Sequence, residues 1–346
     1  MNHASTGARP RALSRLLALA GVAALLAGCA ALPFGQQPTA PPVVLIVTAT
    51  PVRAEPTSLP AEGVELTPLA EDAAPTPPAA PAGLLQRVRE RGRLICGTNA
   101  DLPGFGFYDS VRARWSGFDV DFCRALAAAI FADADAVEFV ALGTAGANER
   151  FEAVRSGAVD VLFRNTTWTL GRDIAQLAFG PTTFHDGQTF MVRVASGITS
   201  SEDLEGRRIC VARGTTTEQN LNDDFAARGL SFEAVSFDDD NQLYRAYDRG
   251  ECDAVTSDSS QLASRRETLT NPDEHLILGE RISREPLGPA FIEGDEQWRD
   301  VVTWTVFATI YAEELRVSQD NVDELAQSSD DPRVRRLLGL EGGLGS

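Results

Sequence analysis

The chain has 346 residues, enough for two ordinary domains with full cores, and its formal charge of -18 sets it against nucleic acid, whose phosphates attract basic surfaces. It contains no lysine, so arginine supplies all 31 positive charges, and Schiff-base chemistry and a P-loop are both excluded. The histidines, His3, His185 and His275, are too few and too scattered for a metal centre, and no cofactor is expected.

Arg9, Arg11 and Arg15 precede an apolar run from Leu16 to Ala27. The run is too short to span a bilayer, so residues 1–28 read as an export signal. It ends Leu26-Ala27-Gly28-Cys29, and small residues directly before a cysteine resemble the bacterial lipoprotein cleavage site. Cys29 is then the expected lipidated first residue; the alternative is an ordinary secretory signal with an incidental cysteine. Residues 29–82, with prolines from Pro33 to Pro81 amid alanine and threonine, cannot bury a core. Such a tether reaches on the order of 150 Å at about 3 Å per residue. The expected location is extracytoplasmic, at the cell surface or in the periplasm, on a lipid anchor.

An α/β pattern begins near Gly83 with a helix and the strand Leu94–Thr98, followed by a loop from Asn99 to Tyr108. Asp119 reads as the N-cap of a helix running to about Phe131. Strand Glu138–Leu142, helix Glu149–Arg155 and strand Val159–Phe163 complete a β-α-β-α-β unit, hence a parallel sheet. Thr189–Val194 reads as a strand leaving this lobe. The second lobe offers strand Arg208–Ala212, a helix from about Thr216, strand Glu233–Phe237, a helix around Leu243–Asp248 and strand Asp253–Thr256. Pro286–Ile292 reads as the return crossing, and the helices from Gln297 onward should pack back on the first lobe. The expected division is 83–191 with 290–346 in one lobe and 192–289 in the other.

An internal echo supports two similar lobes. Gly157-Ala158-Val159-Asp160-Val161 is matched by Gly250-Glu251-Cys252-Asp253-Ala254, and Gly92-Arg93-Leu94-Ile95-Cys96 resembles Gly206-Arg207-Arg208-Ile209-Cys210. Open α/β sheets place ligands at strand ends, so two facing lobes point their ends into one cleft.

With Cys29 assigned to the anchor, four cysteines remain in an oxidising compartment. Cys123 shares a helical face with Leu126, Ala127 and Ile130 and should point at the sheet holding Cys96. Cys210 and Cys252 open strands that lie side by side in a 2-1-3 sheet. The favoured pairs are Cys96–Cys123 and Cys210–Cys252; buried free thiols are the alternative, with equal weight for the first pair.

For the cleft, Thr169 can cap a helix whose first turn holds Arg172, which makes a carboxylate receptor. Gly214-Thr215-Thr216-Thr217-Glu218 offers a glycine turn, a hydroxyl cap and a helix start from the other lobe, with Glu218 completing a capping box. Asp258 sits where the echo puts Asn165, at a strand end, and suits an ammonium group; the plainer role is an N-cap for the helix Ser259–Arg266. A guanidinium on one wall and an acid on the other suit a zwitterion, and the commonest small zwitterion is an amino acid. Phe105 and Phe107 stand ready to cover an apolar side chain, or to pack as core. The run Asp238-Asp239-Asp240 lacks the spaced ligands of a calcium loop.

Gly117-Phe118-Asp119-Val120-Asp121, Arg164-Asn165-Thr166-Thr167-Trp168-Thr169, Gly214-Thr215-Thr216-Thr217-Glu218 and Glu285-Pro286-Leu287-Gly288-Pro289 together resemble the solute-binding proteins of polar amino-acid ABC importers, closest in form to the general L-amino-acid branch. The resemblance spans about Gly83 to Gly339. It implies a two-lobe, type II periplasmic-binding-protein-like fold of two open, mostly parallel sheets joined by two hinge crossings. It also implies a non-enzymatic monomer that delivers L-amino acids to an ABC transporter permease. Arg172 with the Thr167 and Thr216 amides would hold the α-carboxylate, and Asp258 and Asn165 the α-amine. The loop from Asn99 to Phe107 would meet the side chain; Thr166 and Thr215 complete the candidate set. Two rivals share this fold: a cyclohexadienyl (arogenate or prephenate) dehydratase, which needs a carboxylic acid of raised pKa, and a ligand-sensing domain of a membrane receptor.

Overall fold

The computed structural model describes residues 83–144 and 149–342, so the expected export signal, Cys29 and the expected tether lie outside the described residues. No described helix is long and apolar enough to cross a membrane. In chain order the first lobe contains α1 (Leu84–Arg91), β1 (Leu94–Thr98), β2 (Asp101–Leu102), β3 (Gly106–Asp109), β4 (Arg114–Ser116), α2 (Phe118–Phe131), β5 (Val137–Ala141), α3 (Glu149–Arg155), β6 (Val161–Leu162), α4 (Leu170–Asp173) and β7 (Leu177–Phe179). Then follow β8 (Phe184–Asp186), β9 (Gln188–Arg193), β10 (Arg208–Ala212), α5 (Thr216–Arg228), β11 (Glu233–Phe237), α6 (Asp240–Asp248), β12 (Ala254–Asp258), α7 (Ser259–Arg266) and β13 (His275–Ile277). The chain returns through β14 (Glu285–Leu287) and β15 (Ala290–Ile292) and ends in α8 (Glu296–Glu314), α9 (Val322–Ser328) and α10 (Pro332–Leu337).

The two main sheets have the orders β5-β1-β6-β15-β7 and β11-β10-β12-β9-β13. Each has three parallel strands followed by two that run antiparallel to their neighbours. The sequence echo therefore becomes β6 and β12, third in order in their respective sheets. β8 and β14 pair antiparallel as a two-stranded ribbon, and these are the two crossings. The strand expected to leave the first lobe, Thr189–Val194, lies instead in the second sheet, so the first crossing falls ahead of the boundary placed at residue 191. Phe190 and Val192 enter the core on one sheet face while Met191 enters the other. Such a run reads the same as a connector or a strand until its pairing is known.

Two further expectations are corrected. The segment read as a loop, Asn99 to Tyr108, contributes to a three-stranded meander of β2, β3 and β4, strands too short to show a period. Asp119 is not an N-cap. Gly117 precedes α2 with a φ of 124°, where a Cβ would come within 2.3 Å of the Phe105 carbonyl, so only glycine fits. Asp119 lies buried in the helix's first turn, and its carboxylate accepts the Asn165 backbone N–H at 2.8 Å.

In the first lobe, Leu94, Val161 and Phe163 of the sheet pack with Leu126 of α2 and with Trp298, Val302 and Val306 of α8, which carries the C-terminal region back onto this lobe. Burying each such large apolar side chain is worth roughly 1.5–3 kcal/mol, enough to hold α8 in place. In the second lobe α5 covers one sheet face through Leu221 and Phe225, and α6 covers the other through Leu243 and Tyr247. Both expected disulfides form: Cys96–Cys123 ties β1 to α2 with a Cα separation of 6.1 Å, and Cys210–Cys252 ties β10 to the turn before β12 at 5.7 Å.

Candidate functional site

The ends of β10 and β12 in one lobe, and the turn after β6 in the other, line a shared cleft that includes Asn165, Thr167, Ala212 and Asp258. The lobes meet across it. Asn165 Nδ2 donates to Gln261 Oε1 at 3.0 Å, and Thr144 Oγ1 donates to Asp240 Oδ2 at 2.6 Å. Arg164, almost fully buried, donates to the Leu142 carbonyl at 2.7 Å and to Thr144 Oγ1 at 2.6 Å, and pairs with Asp240 at 3.9 Å. At the rim, Ser264 Oγ donates to the Pro103 carbonyl at 2.6 Å.

Asp258 stands at the N-cap position of α7 but makes no side-chain cap bond. That work is done by Asp186 of β8, which accepts from the Ser259 hydroxyl at 2.6 Å, the Ser260 backbone N–H at 3.2 Å and the Ser260 hydroxyl. The Asp258 carboxylate is thus left over: it is 6% exposed, and its Oδ1 has no hydrogen-bond partner among the described residues. Burial holds its pKa well above the usual carboxylate range; Glu285 and Asp186 push the same way, and Arg172 and Arg150 oppose them. A buried carboxylate in this state is stabilised by an incoming cation.

Asn165, the equivalent residue in the first lobe, is held in the left-handed region at a φ of 28°. Its backbone N–H is anchored on Asp119, whose own pKa burial raises to about 6. Non-glycine residues in this conformation persist where the surroundings over-determine them, as at binding sites. Thr169 caps α4 by accepting the Arg172 backbone N–H at 3.3 Å, and Arg172 Nη1 donates to the carbonyl of Thr167, a cleft residue, at 2.7 Å. Burial pulls the Arg172 pKa down to about 10, against the attraction of Glu285 and Asp258. Across the cleft, Thr215 caps α5, and Glu218 reaches back to the Gly214 N–H at 2.7 Å, one residue beyond the ordinary capping box. Thr216 and Thr217 of the first turn line the cleft.

Other expected residues, Arg172 among them, stand apart from this lining. Asn99 is buried and accepts the Asp101 N–H at 2.9 Å. Phe105 packs edge-on to Phe118 and Phe184 at 5.9 and 5.3 Å, in a cluster with Leu102 and Leu287. Phe107 is half-buried on β3, and the Thr166 hydroxyl is spent on the Arg164 carbonyl at 2.7 Å. Sequence reasoning missed Arg150, Asp240 and Gln261, which do line the cleft. Their signals are weak, since each sits in the first turn of an amphipathic helix where a polar residue usually faces water. No group of residues among those described could hold a metal ion.

Two α/β lobes joined by a pair of crossing strands, meeting on a cleft walled by buried charges of both signs, define a hinged solute-binding protein of the type II fold. Residues 94–315 match the model of the bacterial extracellular solute-binding proteins, family 3, and the chain belongs to that family. It is 48% identical over 264 residues to the general L-amino acid-binding periplasmic protein of Rhizobium johnstonii, covering 76% of each chain. It is 45% identical over 268 residues to the glutamate/glutamine/aspartate/asparagine-binding protein of Rhodobacter capsulatus, covering 77% of this chain and 78% of the relative. Among solved structures, a periplasmic binding protein of an ABC transporter from Brucella ovis with glutathione bound superposes with a TM-score of 0.72 at 46% identity, over 75% of this chain and 81% of that one.

Proposed function

We propose that this protein captures L-amino acids in the interlobe cleft and delivers them, as a lipid-anchored monomer, to the permease of an ABC importer. The observation that carries this reading is Asp258, a buried carboxylate with no cap role and, among the described residues, no hydrogen-bond partner at Oδ1, within electrostatic reach of the Arg172 guanidinium. An α-ammonium group meets the first and an α-carboxylate the second, and both gain because charge-assisted hydrogen bonds strengthen out of water. The Thr167 and Thr216 amides and the Asn165 turn complete that shell. The family and the binding roles named for the relatives support the same reading. Calorimetric titration with the twenty L-amino acids tests it: at least one should bind, and silence from all of them would reject it.

The raised pKa of Asp258 also suits a dehydratase acid. Release of water from prephenate or arogenate by the purified protein would transfer the site to that chemistry; none is expected. The anchor is tested separately. Cys29→Ala should shift the protein from the membrane to the soluble fraction, because stable attachment requires the acyl chains; unchanged partitioning would remove the anchor from the proposal.

A further inference from the structure

The segment that leaves the first crossing closes over the start of α7. The Gly187 carbonyl accepts the Ser259 backbone N–H at 3.0 Å. Asp186, the half-buried last residue of β8, accepts the Ser259 hydroxyl and the Gly187 N–H through Oδ1 at 2.6 and 2.8 Å, and the Ser260 N–H through Oδ2 at 3.2 Å. Two residues further on, Gln188 stands opposite Asp258 in the register of β9 with β12. A few residues of backbone therefore link the crossing, the cap of α7 and the acid of the cleft.

An N-cap side chain ordinarily bonds the N–H of the second or third helical residue. Asp258 holds the N-cap position of α7, and the second helical residue is Ser260, whose N–H Asp186 has already taken from another strand. An open Ser260 N–H would draw the Asp258 carboxylate back onto the helix, because a helix N-terminus stabilises an anion through both the hydrogen bond and the dipole. We propose that Asp186 is a positioning residue for the ligand: by capping α7 in place of Asp258 it keeps the Asp258 carboxylate free for an α-ammonium group. This rests on the reading of the cleft as an α-amino-acid site. The hydrogen bonds and the charge of Asp186 act in opposite directions on Asp258. The bonds free its carboxylate, whereas the like charge helps to keep its proton on, so substitution can separate the two.

Calorimetric titration of the full chain with the parent's best amino acid decides it, run as a double-mutant cycle with Asp258→Asn. Asp186→Ala should weaken binding by at least about tenfold in the parent and by less than about threefold in the Asp258→Asn background. Asp186→Asn removes the charge but keeps an oxygen for the Ser260 N–H, and it should bind within about threefold of the parent. If Asp186→Ala does not fold, Asp186→Ser, whose oxygen lies one atom short of the Asp186 carboxylate oxygens, takes its place in both backgrounds. The same proportional loss in both backgrounds assigns Asp186 a purely structural role and overturns the proposal, as does a loss in Asp186→Asn equal to that in the alanine variant. Unchanged binding by Asp186→Ala overturns it too, and each of these results leaves the amino-acid reading standing. Failure of every amino acid to bind the parent overturns both.

Discussion

Asn165 and Asp258 occupy the same place in the two halves of the chain, just past or at the end of the third strand of equivalent sheets, yet their side chains are used in opposite ways. Asn165 spends its carboxamide on Gln261 of the other lobe and its backbone N–H on Asp119. Asp258 keeps its Oδ1 without a hydrogen-bond partner among the described residues, because Asp186 has taken over the capping of α7. The repeated scaffold sets where a residue points; the neighbours decide whether it latches the lobes or presents a charge. The first lobe accordingly lines the cleft with the cations Arg150 and Arg164, with Arg172 behind them on the Thr167 carbonyl, and the second lines it with Asp240 and Asp258.

The largest effect is expected from the cationic wall. Arg172→Ala leaves the ligand carboxylate without its partner, at a cost of roughly 2–5 kcal/mol, or about thirtyfold to several-thousandfold in affinity. Titration of the variant with the parent's best amino acid reads this directly, and near-parental binding would move Arg172 to the periphery.

The disulfides compare the lobes as scaffolds. Removing either bond should cost about 2–4 kcal/mol in its own lobe. Cys210–Cys252 spans 42 residues and Cys96–Cys123 spans 27, so loop entropy alone makes the second-lobe bond worth about 0.4 kcal/mol more. Denaturant unfolding of the two double-serine variants should place the Cys210→Ser, Cys252→Ser protein lower; a reversed order would point to strain or packing rather than chain entropy.

The acidic wall gives the smallest expected loss and a change of sign. Asp258→Asn removes the charge but keeps the shape, and binding should weaken by at least about tenfold, roughly 1.4 kcal/mol. Without ligand the same variant should be more stable than the parent at neutral pH. The Asp258 carboxyl holds its proton more tightly folded than unfolded, so this group costs the parent stability as the pH rises above the ordinary carboxylate value of 3.8, a loss the amide lacks. Melting curves from acid to neutral pH should show the two proteins converging at low pH and separating above it. A parent that stays ahead at neutral pH would mean that the charged carboxylate has a partner in the free cleft.

Much of the fold was legible because periodicity and repetition are local. The alternation of short apolar runs with helical patterns gave the β-α-β-α-β units, and the glycine-led echo gave the duplicated lobe. The cysteine pairs followed from faces and strand neighbours. The meander of β2, β3 and β4 was not legible, since strands of two to four residues carry no period and are held by their partners. Of the candidate site, Asn165, Thr167, Thr215, Thr216 and Asp258 were found from caps and strand ends and do share the cleft lining. Phe105 was drawn towards the ligand by its loop-like surroundings, whereas packing against Phe118 and Phe184 places it in a core cluster.

By itself, then, the sequence determined the two-lobe α/β architecture, the family and the residue types of a candidate zwitterion site, because these rest on spacing along one chain. Only the tertiary structure decided that Asp258 is released from capping by Asp186, that Asn165 joins the lobes through Gln261, and that Arg150 is buried beside them with no hydrogen-bond partner at Nε among the described residues. The physical reason is that burial and hydrogen-bond satisfaction are properties of what surrounds a group on all sides. A polar residue in the first turn of a helix carries the same local signal whether water or the opposite lobe stands in front of it.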